Sequence, residues 1–227
     1  MEKFVVIVAG GKGNRLGSEI PKQFIPIHGK PILMHTIERF YAYNRNIGII
    51  VVLPQNYIEY WNLLCSEYAF AINHKIVAGG EERFFSVKNA LEYVPNGTLV
   101  AIHDAVRPFV SNLVIEQAFF FSEEKKAVAP TIKPTESVRF ADSESKNTSL
   151  NRKQILLVQT PQCFHSDVIK KAYSTEYDSR YTDDLSVVEN MLNTPIFLFD
   201  GNRENIKITT PFDLNIAEIL FSIVHNI

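Results

Sequence analysis

Between residues 8 and 23 the chain carries glycines and cations at a spacing that could hold a phosphate chain. The segment Val8-Ala-Gly-Gly-Lys-Gly-Asn-Arg-Leu-Gly17 is followed by Pro21-Lys22-Gln23. Glycines let consecutive backbone N–H groups wrap an anion, while Lys12, Arg15 and Lys22 supply the positive charge that a polyphosphate requires. The two commoner phosphate loops do not fit. G-x-x-x-x-G-K-[ST] is absent, and Gly11-x-Gly13-x-x-x-Gly17 spaces its last glycine one residue too far for the dinucleotide fingerprint. Asp104 follows an apolar run, where its carboxylate could meet a metal, a ribose or an acceptor hydroxyl, or simply cap the next turn. Cys65 and Cys163 lie far apart with no C-x-x-C pair and no histidine at ligand spacing, which points away from zinc and from a disulfide framework.

Such groups work together only if the fold gathers them. The first half of the chain repeats a β-branched run, a turn and a stretch of helical period, which predicts parallel strands joined by crossover helices. Phe4–Ala9 reads as the first strand. Pro31 opens a helix with Leu33, Ile37, Phe40 and Tyr41 on one face, and Ile47–Leu53 is the second strand. Tyr57 to Tyr68 has helical spacing, Lys75–Ala78 is a third strand, and Phe84, Val87, Leu91 and Val94 mark a third helix. Thr98–His103 is a fourth strand ending at Asp104, and Ser111 caps a helix running to about Glu124. After a strand at Ala127–Ile132, residues 133–153 are polar and extended, with Val138 and Phe140 before the tip and Leu150 after it. This predicts a hairpin arm, and a two-stranded hairpin with so few apolar residues needs a surface to lie on, most naturally another subunit. The α/β pattern resumes with a strand at Gln154–Gln159 and helices near Ser166–Thr175 and Asp183–Leu192. A strand at Ile196–Phe199 and a final helix from Pro211 complete it.

Composition bounds the function. The chain has 227 residues, 46% hydrophobic and 21% charged, a globular profile that reads as a single domain, 1–227, with the arm within it. A chain of this size buries roughly 70% of its unfolded surface, enough for a core without disulfides or a structural metal. Its 23 Lys plus Arg against 25 Asp plus Glu give a formal charge of −2, so no bulk basic field exists for a nucleic-acid backbone. The apolar runs are far shorter than the roughly 20 residues that span a bilayer. A strand that begins by Phe4 leaves no room for a signal or transit peptide, so the expected location is the cytoplasm.

Six blocks in order carry a resemblance. They are the glycine loop with Pro21-Lys22-Gln23, Gly79-Gly-Glu-Glu-Arg-Phe-Phe-Ser86, His103-Asp-Ala-Val-Arg-Pro108, Gln159-Thr-Pro-Gln162, Thr182-Asp-Asp-Leu-Ser186 and Asn205-Ile-Lys-Ile-Thr209. Together they resemble the 2-C-methyl-D-erythritol 4-phosphate cytidylyltransferase family of the non-mevalonate isoprenoid pathway. That likeness implies a Rossmann-like nucleotidyltransferase fold and transfer of CMP from CTP to a polyol phosphate. Two departures, Val8-Ala-Gly-Gly11 and Val106, are shared with ribitol-5-phosphate cytidylyltransferases, the alternative acceptor class; Thr182 to Glu189 resembles the methylerythritol family better. A nonenzymatic nucleotide-binding module would keep the glycines and lose the cations.

The resemblance also assigns roles. Arg15, Lys22 and Lys207 match the cations at the reacting phosphate; without it, Lys207 reads as a strand-edge lysine whose stem lies on apolar surface. Ala9, Gly10, Gly11, Gly13, Gly80, Glu81 and Ser86 match CTP contacts, Glu81 standing where the family often has Asp. Asp104, Arg107, Ser137, Arg152, Thr160 and Thr182 match acceptor contacts, Arg152 and Ser137 from an arm that reaches into the other subunit of a homodimer. Mg²⁺ or another divalent cation is the expected cofactor, held mainly by CTP phosphates, with Asp104 as the candidate protein group near it.

Overall fold

Val5, Val6 and Ile7 are consecutive, apolar and free of exposure, which a strand covered on both faces allows. A computed structural model describes residues 1–10, 20–142 and 146–224. β1 (Lys3–Val8) is followed by a small hairpin, β2 (Pro26–Ile27) and β3 (Lys30–Pro31), and by α1 (Ile32–Tyr43). Next come β4 (Gly48–Leu53), α2 (Ile58–Glu67), β5 (Lys75–Ala78), α3 (Arg83–Leu91) and β6 (Leu99–Asp104). α4 (Asn112–Lys125) begins where expected, with the Ser111 hydroxyl accepting a hydrogen bond from the Val114 N–H. β7 (Ala127–Ile132) leads to the arm, β8 (Val138–Ala141) and β9 (Asn147–Leu150), and then to β10 (Leu157–Val158) and β11 (Gln162–His165). α5 (Ser166–Ala172), α6 (Asp184–Leu192), β12 (Phe197–Asp200) and α7 (Pro211–Val224) complete the described chain.

Among the described residues, eight strands form one mostly parallel sheet in the order β5-β4-β1-β6-β11-β7, with β10 also on β7 and β12 on the opposite side of β7. β11 and β10 are the antiparallel members. The chain builds outward from β1 through β4 to β5, then crosses back to lay β6 on the other side of β1. Strand order therefore reverses between β1 and β6, where Val8 stands in register with Asp104. The crevice beyond the carboxyl ends of such a pair is where open α/β sheets bind ligands.

Alternation along each strand feeds two cores. Val5, Ile7 and Val51 pack with Leu33, Ile37, Phe40, Trp61 and Phe119 of α1, α2 and α4. Val6, Val52 and Ile102 pack on the other face with Phe84, Val87, Ile169 and Val188 of α3, α5 and α6. Each such fully buried side chain stabilises the fold by about 1.5–3 kcal/mol. A third cluster matters more for the site. Ala217 and Phe221 of α7 hold Ile27, Ile32, Val106 and Ile208. Ile208 also donates its N–H to Val106 O at 3.0 Å, so Ile206 and Ile208 are drawn inward, and Lys207 between them projects away, 44% exposed.

Three elements differ from the sequence-based expectation. Gln154–Gln159 is largely not strand: Arg152–Gln154 form a 3₁₀ turn and pairing is confined to Leu157–Val158. β11 and the β2–β3 hairpin carry no alternating run long enough to declare them, and tertiary pairing makes them strands. The arm itself is present, paired from Val138↔Leu150 to Ala141↔Asn147 with Phe140 61% exposed. Among the described residues no helix is long and apolar enough to cross a membrane.

Candidate active site

A cavity of about 440 Å³ opens at the carboxyl ends of β1 and β6. Ala9 and Gly10 follow β1 into its floor, and Lys22 enters from the 3₁₀ turn Lys22–Phe24. Glu81, Arg83 and Ser86 line it from the start of α3, Asp104 from the end of β6, and Lys207 from the segment pinned by α7. Gln23 sets Lys22 in place, because its buried side chain donates a hydrogen bond from Nε2 to Ala9 O at 2.8 Å.

Ser86 joins the two glycine motifs. Its hydroxyl accepts the Gly80 N–H at 3.1 Å, and a Cβ placed on Gly10 or on Gly79 would stand 2.9 Å from its Oγ. Both backbones approach the hydroxyl closely because neither residue has a side chain.

At the far wall, Asp104 is almost fully buried, and Oδ2 accepts from Lys207 Nζ at 3.0 Å and from Arg107 Nε at 3.1 Å. Arg83 Nε lies 3.8 Å from Oδ1. Burial alone would push this carboxyl upward. Lys207, Arg83 and Arg107 overrule it and hold the group well below the usual carboxylate range, so Asp104 is ionised at neutral pH. Arg107 Nη1 also donates to Asn205 O at 2.7 Å, tying the Lys207 segment to the turn after β6.

His103 is fully buried behind Asp104, and burial lowers its pKa to about 4. Arg107 O can only accept, so His103 Nε2 carries the ring proton of the neutral imidazole and donates to it at 3.0 Å. Nδ1 is then an acceptor for the Thr160 hydroxyl at 3.1 Å, while Thr160 Oγ1 accepts the Asp104 N–H, also at 3.1 Å. A neutral histidine thereby sets both the threonine and the arginine turn. The unfolded chain takes up this proton near 6.5 while the folded one refuses it until about 4, so stability rises with pH across that interval and is lost as pH falls through it. Thermal midpoints measured from pH 7.5 to 4.5 should therefore drop. His103→Gln should shrink the dependence without abolishing it, since His35 and His74 are pushed down by burial in the same direction. A variant with an unchanged pH dependence would show that His103 does not carry it.

The structure brings together Ala9, Gly10, Lys22, Glu81, Ser86, Asp104 and Lys207 at the cavity, with Gly80, Arg107 and Thr160 directly behind them. Arg15, Gly11 and Gly13 lie outside the described residues. Thr182 is exposed, beside a small cleft it shares with Arg83 and Tyr173. Ser137 and Arg152 sit on the arm and do not line the cavity of their own chain; the Arg152 guanidinium donates to Thr135 O. Sequence reading passed over Arg83, Gln23, His103 and Asp184. The signal for Arg83 was its place inside the second glycine motif, but its partner lies 101 residues away.

A doubly wound sheet with a glycine-walled, cation-bearing crevice at its switch point is the architecture of nucleotide-handling α/β proteins. The family model described as IspD, 2-C-methyl-D-erythritol 4-phosphate cytidylyltransferase, matches residues 3–222, and the chain belongs to that family. It is similar to the 2-C-methyl-D-erythritol 4-phosphate cytidylyltransferase of Phocaeicola vulgatus, with 52% identity over 97% of this chain and 100% of that protein. The corresponding protein of Bacteroides fragilis is 51% identical over the same shares. The crystal structure of the Francisella tularensis 2-C-methyl-D-erythritol 4-phosphate cytidylyltransferase superposes with a TM-score of 0.78 at 31% identity, covering 96% of this chain and 99% of that one.

Proposed function

We propose that the chain transfers CMP from CTP to 2-C-methyl-D-erythritol 4-phosphate, forming 4-diphosphocytidyl-2-C-methyl-D-erythritol and pyrophosphate. The observation that carries the chemistry is the Lys207–Asp104–Arg107 cluster facing Lys22 across a cavity walled by Gly10 and Ser86. Family membership and the shared name of full-length relatives favour methylerythritol phosphate over ribitol phosphate as acceptor.

The acceptor phosphate monoester is already anionic, so no general base is needed. One of its oxygens attacks the α-phosphorus of CTP in line, a P–O bond forms, and the bond to pyrophosphate breaks with its electron pair leaving on the pyrophosphate oxygen. The protein's work is to hold two polyanions against each other and to answer charge that grows on the α-phosphate and leaving group. Lys22 and Arg15 are assigned to the triphosphate and Lys207 to the α-phosphate. Ala9, Gly10, Gly80, Glu81 and Ser86 are assigned to the nucleoside, with Gly11 and Gly13 in the loop.

Mg²⁺ fits the donor set. Among the described residues no group of three or more His, Cys, Asp or Glu could hold a metal alone, and Asp104 Oδ1 receives no hydrogen bond. One carboxylate oxygen plus phosphate oxygens suits a cation that keeps few protein ligands. When bound, the metal would neutralise phosphate charge.

With Mg²⁺ and CTP, purified protein should release pyrophosphate only when 2-C-methyl-D-erythritol 4-phosphate is added. Equal release with UTP or GTP overturns the base assignment, and turnover confined to ribitol 5-phosphate overturns the acceptor.

A further inference from the structure

Asp184 does not line the cavity, yet it has no exposure at all. A carboxylate in that position is costly unless its oxygens are filled. Arg83 fills them with a two-bonded fork, Nη1 to Oδ1 at 2.9 Å and Nη2 to Oδ2 at 2.7 Å, and the Tyr173 hydroxyl donates to Oδ1 at 2.6 Å. The backbone around Asp184 is equally fixed. Its N–H and that of Leu185 both donate to Gln162 Oε1 at 3.1 Å, while Gln162 Nε2 donates to Asp183 Oδ2 at 2.8 Å. Asp183 caps α6 through the Ser186 N–H, so the whole helix start is bolted to β11.

Arg83 therefore has its guanidinium set by α6, although its chain position is the first turn of α3 and its side chain faces the cavity. The consequence lies at its third nitrogen. Nε stops 3.8 Å from Asp104 Oδ1, close enough for attraction and too far for a hydrogen bond. Asp104 in turn gives its other oxygen to Lys207 and Arg107. Two carboxylates thus compete for one arginine, and Asp184 holds it with two hydrogen bonds.

We propose that Asp184 is a positioning residue for nucleotidyl transfer: it holds Arg83 away from full pairing with Asp104, which leaves that carboxylate to set Lys207. This rests on the cytidylyltransferase reading. With the Asp184 charge removed, the guanidinium is drawn onto Asp104 Oδ1, which turns that carboxylate and shifts the Oδ2 contact that aims Lys207. A role confined to bolting α3 to α6 would instead lower stability and leave turnover per folded molecule alone.

The test is steady-state pyrophosphate release with CTP and 2-C-methyl-D-erythritol 4-phosphate for wild type, Asp184→Asn, Arg83→Lys and the double variant, each checked for folding by circular dichroism. Asparagine keeps the shape and most acceptors of Asp184. Lysine keeps the charge of Arg83 and loses the fork. Each single change should lower kcat by on the order of 10-fold or more, with KM for CTP shifted by less than about threefold. The double variant should be no worse than the poorer single, because both act through one contact. If Asp184→Asn fails to fold, Arg83→Lys decides, since lysine keeps a positive charge beside the buried carboxylate. Folded variants with wild-type kcat, or losses that multiply in the double variant, overturn the inference while leaving the reaction intact. A wild type that releases no pyrophosphate overturns the cytidylyltransferase reading, and this inference with it.

Discussion

Lys207→Ala is expected to lower kcat for pyrophosphate release by on the order of 10² to 10³, with a much smaller change in KM for CTP. The reason is where Lys207 stands. Its ammonium sits 3.0 Å from Asp104 on a side chain that is 44% exposed, held at the cavity wall by a backbone that α7 fixes from behind. Ground-state CTP carries its charge spread over three phosphates, to which Lys22 and Arg15 are already assigned. Charge on the α-phosphate and leaving group grows only as the bond breaks, so a cation aimed there acts on the transition state. The truncation should be tolerated by the fold, because Asp104 keeps Arg107 and Arg83 as counter-charges and the flanking Ile206 and Ile208 packing is untouched. A loss confined to KM would show that Lys207 only holds bound triphosphate.

The second large effect concerns the arm. Nearly all of β8 and β9 is exposed, including Phe140 and Leu150, and Arg152 is directed to Thr135 rather than to the cavity. If the site is shared between two copies, as the family resemblance implies, an Arg152→Ala chain and a Lys22→Ala chain should each be nearly inactive alone. After subunit exchange each mixed dimer holds one site with both defects and one with neither, so an equimolar mixture should recover about a quarter of wild-type activity. A mixture that stays inactive after exchange verified by native mass spectrometry would place Arg152 in its own subunit or outside the site.

The parts of this molecule legible in its sequence are those where local chemistry and tertiary environment agree. β5 and β7 fall at the residues the β-branched runs mark, and Ser111 caps α4 as its position foretells. The site's place at the end of β1 and β6 follows from runs that stop at a glycine and at Asp104. What escaped is what depends on distant partners. β11 is four residues after a proline, a strand only because β6 and β7 flank it. Gln23 looks like a surface residue until Ala9 O is found beside it, and Asp184 like the first turn of a helix until Arg83 reaches it. Periodicity records burial, whereas such pairings are set by the fold as a whole.

The meeting of Gly10, Gly79, Gly80 and Ser86 has a consequence for how the sequence can drift. An alanine at 10 or at 79 is accommodated only if the Ser86 hydroxyl turns away or position 86 shrinks, and either change takes the hydroxyl from the Gly80 amide. Starting from either side, the first mutational step creates a clash or strands a donor, and the second step alone cannot repair both. In genetic terms these positions behave as one allele spread over 77 residues of chain, inherited together or lost together: a lineage leaves that combination only through an intermediate with a steric clash or an unpaired Gly80 amide at the cavity wall.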